Sequence, residues 1–119
     1  MPHAVLDKKI DLQKLSSEFG DIITHKPCLI KMQNIFVDKY NRSALVPTTV
    51  IGKKNQNFFI EINTKEGKTT IRLFPGTDPE KTDGVRTAMG LVVRKIQEIY
   101  SDAKVTKTNI QEFLTPVIS

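Results

Sequence analysis

Asn57-Phe58-Phe59-Ile60-Glu61-Ile62-Asn63, with Thr69-Thr70-Ile71-Arg72-Leu73-Phe74 after five intervening residues, is the stretch on which the fold turns. Each run is rich in β-branched and aromatic residues and sends alternate side chains to opposite faces, as a strand does. Lys65-Glu66-Gly67-Lys68 lies between them and supplies a tight turn, with Gly67 free to take positive φ. The two runs therefore read as a hairpin whose paired residue numbers sum to about 133. That register points Phe58, Ile60, Ile62, Ile71 and Leu73 one way. It points Phe59, Glu61, Asn63, Thr70, Arg72 and Phe74 the other.

The period changes from two to 3.6 just after the hairpin. Val85, Ala88, Met89, Val92, Ile96, Ile99, Tyr100 and Ala103 form one apolar stripe, which predicts a helix from Val85 to Ala103. Asp78-Pro79-Glu80 marks one start for it and Thr82-Asp83-Gly84 another, a turn later. Before the hairpin, Leu29–Val37 and Ala44–Ile51 read as two weaker strands, joined by turns at Asp38–Ser43 and Gly52–Gln56. Pro47 cannot donate to a ladder, so its strand must lie on an edge, or be bulged or broken there. Asp11–Phe19 reads as a short helix capped by Asp11 and ended by Gly20. Thr108-Asn109-Ile110-Gln111 has capping-box spacing, so a short last helix is expected to about Leu114, stopped by Pro116.

These elements predict an α+β fold: an antiparallel meander of about four strands backed by one long C-terminal helix, with short helices at both ends. That order resembles one half of the TATA-box-binding protein fold, a resemblance of topology. At 119 residues, with no repeat or linker, the chain is expected to be a single domain over 1–119, with residues 1–9 flexible.

Apolar residues make up 39% and charged residues 26%, so the chain should fold rather than stay disordered. One cysteine, Cys28, excludes an internal disulfide. Neither the apolar run of a signal peptide nor that of a membrane span occurs, which leads us to expect a cytoplasmic protein without a membrane partner. The net charge of +5 is uneven: residues 1–57 hold nine bases and five acids, residues 58–119 nine and eight. No acid occurs between Asp38 and Glu61, an interval with Lys39, Arg42, Lys53 and Lys54. A polyanion partner is therefore permitted.

Four places could carry function. The loop entering the long helix, with Lys81 and the Lys53/Lys54 turn at the same sheet end, could hold an anion at the helix N-terminus. Asp78, Glu80 and Asp83 already place negative charge there, and the simpler reading is an acid-capped helix. The loop also departs from a Walker pattern and from a calcium loop, whose twelfth position would fall on Met89. The second place is the sheet's outward face, where Phe59 and Phe74 beside Arg72 could stack bases, unless the first helix or a second subunit covers them. The third is Lys39, Tyr40 and Arg42 with Lys65 and Lys68 at the opposite sheet end, able to grip phosphates or merely to keep the turns solvated. The fourth is the outer side of the long helix. There Gly90 would admit a close neighbour with Leu91 filling the contact, the neighbour being the terminal helix or another subunit.

Catalysis has little to stand on. His25 and Cys28 form an isolated pair, too few ligands for zinc and without an orienting third group, and Cys28 reads as a small core residue. We expect no cofactor and no metal. The expected function is a non-catalytic interaction module that self-associates, or binds another protein, through Phe59 and Phe74 or through Gly90 and Leu91. The alternative is a nucleic-acid-binding protein using Lys39, Tyr40, Arg42, Lys53, Lys54, Phe59, Lys65, Lys68, Arg72 and Phe74.

Overall fold

The computed structural model describes residues 1–26 and 28–114. It is a small α+β domain in which an antiparallel sheet curls around one long helix. The strands are β1 (His3–Leu6), β2 (Ile22–Thr24), β3 (Leu29–Met32), β4 (Phe36–Val37), β5 (Ser43–Ile51), β6 (Asn55–Lys65), β7 (Lys68–Leu73) and β8 (Val105–Thr108). The helices are α1 (Leu12–Glu18) and α2 (Asp83–Ile99), and a single 3₁₀ turn spans Gln111–Phe113. Spatially the strands run β2-β3-β5-β6-β7-β1-β8, with β4 also pairing with β5.

The hairpin is built as its sequence reads. Ile60 pairs with Leu73 and Ile62 with Ile71, the expected register. Glu66 (φ 52°) and Gly67 (φ 78°) form the two-residue turn, whose positive φ values match the strand twist. Ala44, Val46, Thr48 and Val50 of β5 join Phe58, Ile60 and Ile62 of β6 and Ile71 and Leu73 of β7 on the inner face, all buried. Val85, Ala88, Met89, Val92, Val93 and Ile96 of α2, and Leu12 and Leu15 of α1, close the core over them. Each Val, Leu, Ile, Phe or Met among them contributes about 1.5–3 kcal/mol by leaving water.

Pro47 lies in the middle of β5, and the chain answers its missing donor on the neighbouring strand. The Phe59 N–H donates to Thr77 Oγ1 and its carbonyl accepts from Phe74 N–H, so Phe59 directs its backbone toward the β7 side. Its partner Pro47 therefore turns its backbone the opposite way. There the Leu29–Val37 segment breaks into β3, which pairs with Thr49–Ile51, and β4, which pairs with Ala44 and Leu45. The absent N–H faces the break.

Several expectations need correction. The sheet has eight strands rather than about four. The added ones are short and meet their partners only in space. Residues 1–9, expected to be flexible, contain β1, which is held between β7 and β8. Thr108 ends β8 instead of capping a helix, and among the described residues a single 3₁₀ turn follows; Pro116 lies outside them. The two chain ends thus pair inside the sheet, and the resemblance to half of the TATA-box-binding protein fold, which rested on a helix–four strands–helix order, is not supported. Helix α2 starts at the later signal, with Thr82 Oγ1 accepting from Val85 N–H. The earlier start is unused because Gln56 holds the Glu80 backbone, Oε1 to N and Nε2 to O. It stops at Ile99 because Tyr100 turns to α1, its hydroxyl bonding the Asp11 backbone.

Among the described residues no helix is long and apolar enough to cross a membrane.

Candidate functional site

The sheet places its outward side chains in rows set by the register. One row is Ile23, Lys31, Thr49 and Asn57; the next is Pro47, Phe59 and Phe74. Then come Phe36, Leu45, Glu61, Arg72 and His3, and after them Ser43, Asn63, Thr70, Val5 and Lys107. Lys65 and Lys68 flank the turn at the end. Both helices pack on the other face, so α1 does not cover Phe59 and Phe74 as one reading of the sequence allowed: its buried Leu12 and Leu15 belong to the core.

Phe59 and Phe74 meet edge-to-face with ring centroids 6.2 Å apart. The loop after β7 braces this pair, for a Cβ at Gly76 would lie 2.5 Å from the Phe74 ring. Arg72 reaches across from β7 to Glu61, which is buried apart from about 9% of its surface. Glu61 is the one acid in these rows, and Arg72 neutralises it. Lys31, Lys65, Lys68 and Lys107 are exposed, and no acid pairs with them among the described residues. Beside Pro47 and Phe59, where β3 gives way to β4, the face holds a hollow of about 400 Å³.

The other expected sites come out differently. At the Lys39–Arg42 turn, Lys39 Nζ lies 5.0 Å and the Arg42 guanidinium 4.8 Å from the Tyr40 ring centre, so the turn's own cations occupy the ring. Arg42 O accepts from Thr64 N–H, 2.8 Å, which brings this turn to the Lys65/Lys68 end as expected. Backbone N–H groups of Arg42 and Ser43 hold the Asp38 carboxyl below the usual carboxylate range, with Arg42 the largest cause.

Lys53 and Lys54 do share a sheet end with the start of α2, in a cavity of about 550 Å³ that also takes in Cys28, Thr82 and Gly84. Its charge is largely spent internally, since Lys54 pairs with Glu80 and Lys81 with Asp78, and Asp83 sits in the first turn of the helix. Cys28 packs closely on Gly84, whose Cβ would lie 2.9 Å from Sγ. His25 is exposed and does not line this cavity. Among the described residues no three His, Cys, Asp or Glu converge on a metal-sized site.

The outer helix site is occupied from within. A Cβ at Gly90 would run into the Phe113 carbonyl, so the terminal 3₁₀ turn is the close neighbour, and no room remains for another subunit at that glycine. Leu91 is half-buried beside Ile22 and Ile23 of β2. Sequence reasoning missed Lys31, Asn57, Lys107 and the Gln33-Asn34 pair as parts of the outer face. The available signal was a proline inside a strand opposite a polar pair inside another.

Compared with protein-family models, curated proteins and solved structures, the chain finds no match.

Proposed function

We propose that this protein is a non-catalytic binding module whose working surface is the outer face of its sheet, and that its ligand is a single-stranded nucleic acid. The observation that carries the reading is the face itself. It is free of both helices and carries the Phe59/Phe74 pair, with Lys31 one row away and Lys65, Lys68 and Lys107 further along. The one acid in its rows, Glu61, is already neutralised, which leaves Glu66 in the end turn as the other acid beside them. Aromatic rings offer bases a stacking surface of any sequence, and a one-signed field attracts the backbone. Two copies of this face brought together would instead oppose like charges.

Self-association is the second reading, favoured by Ile23 (47% exposed), Phe36 (60%) and Ile51 (38%) on the β2–β5 side of the same face. Light scattering after size exclusion, at low and high salt and with and without a mixed oligonucleotide pool, separates the two. The first reading expects a monomer that shifts with oligonucleotide at low salt. Lys65→Glu with Lys68→Glu should then reduce the slope of log affinity against log salt by about 1.4. A salt-independent dimer that ignores oligonucleotide and is broken by Phe36→Glu would replace it with the second reading.

A further inference from the structure

We infer that the hollow at the β3–β4 break binds a single nucleobase, giving the face a fixed point of attachment and a base preference. This rests on the nucleic-acid reading and deepens it. The hollow exists because Pro47 cannot hold a neighbouring strand, so β3 ends at Met32 and β4 begins only at Phe36. Its volume of about 400 Å³ lies at the small end of the range for small-molecule sites, roughly 300–1,000 Å³. That suits one planar heterocycle better than an extended ligand.

Its lining has the chemistry of base recognition. Phe59 and Pro47, paired across β6 and β5, supply an apolar surface for a base to lie on. Gln33, Asn34 and Asn57 place carboxamides around it. A carboxamide offers a donor and an acceptor side by side, matching the mixed edges of the bases. Asn57 is already oriented: its Oδ1 accepts from the Thr49 hydroxyl at 2.8 Å, which leaves its Nδ2 hydrogens to donate. Gln33 and Asn34 are exposed and make no side-chain hydrogen bond among the described residues, so both remain open to a ligand. Lys31 is the one charged group lining the hollow, placed for the phosphate that accompanies a base.

A strand or a free nucleotide could provide the base, and the test distinguishes them. Anisotropy titrations of labelled single-base homopolymers are run on the wild type, on the Gln33→Ala/Asn34→Ala/Asn57→Ala variant and on Phe59→Ala. Amide NMR spectra are recorded with mononucleotides. The inference expects one homopolymer to bind best. The triple variant should lose that preference, by roughly 3- to 30-fold for the favoured base and little for the others. Phe59→Ala should weaken every base by about 5- to 150-fold. The triple variant changes only side chains at the rim, so it keeps the inference open to test if Phe59→Ala fails to fold. Mononucleotides that shift the Asn57 side-chain amide would make the pocket a nucleotide site in its own right; shifts only with oligonucleotide would make it part of a strand site. Equal binding of all homopolymers, with the triple variant silent, would overturn the pocket while leaving the face reading intact. No binding of any oligonucleotide or mononucleotide would overturn both.

Discussion

Glu66 adopts φ 52° in the β6–β7 turn, beside Gly67 at φ 78°. Left-handed backbone costs an ordinary L-residue about 1–2 kcal/mol, and Asn tolerates it better. Glu66→Asn should therefore stabilise the fold by about 0.5–1 kcal/mol and raise the melting temperature by a few degrees. The comparison belongs at moderate salt, so that Lys65 and Lys68 are screened once their neighbouring acid is gone. An unchanged or lowered melting temperature would show that this turn carries no such strain. Asn41, at φ 57°, is the contrasting case: its Nδ2 donates to Asp11 Oδ1 and its Oδ1 accepts from Gln13 N–H. That bond from Asn41 is the largest cause of the lowered Asp11 pKa, and it ties the α1 cap to the turn carrying Lys39 and Arg42.

At the scale of elements, α2 shows how a local rule reverses in context. Gly to Ala inside a helix ordinarily gains about 1 kcal/mol. At Gly90 the new Cβ would meet the backbone of Phe113, which cannot swing aside as a side chain would. Gly90→Ala should destabilise the protein by about 1–3 kcal/mol in urea unfolding and expose residues near Phe113 to protease. A stabilised variant would mean that the 3₁₀ turn does not rest on α2. The hairpin, the α2 stripe and the Asp11 cap were all legible in sequence, because each is decided by residues close along the chain. The Leu29–Val37 break was not, because Pro47 imposes it from a different strand.

Across the whole molecule, the two chain ends finish the sheet. Leu6 in β1 is fully buried, although it sits in a segment that reads as a loose terminus. Leu6→Ala should cost about 2–5 kcal/mol with an unchanged denaturant slope, the cost of an interior leucine. A loss near zero would return residues 1–9 to the flexible state their sequence suggests. Because β1 lies between β7 and β8, its loss would leave β8 without its only partner strand among the described residues.

The sequence by itself determined the antiparallel hairpin and its register, the existence and apolar stripe of the long helix, the first helix with its cap, and the side of the hairpin on which Phe59, Arg72 and Phe74 stand. Alternation, helical spacing and capping are short-range signals, and each is complete within a few turns of chain. Only the tertiary structure decided that both helices share one face, that β1 and β8 add to the sheet, and that Gly90 is met by Phe113. It alone also decided that the Tyr40 ring is taken by Lys39 and Arg42, and that Pro47 opens a hollow beside Phe59. These are meetings of residues distant in sequence, and a short strand with no partner in view carries too little pattern to announce itself.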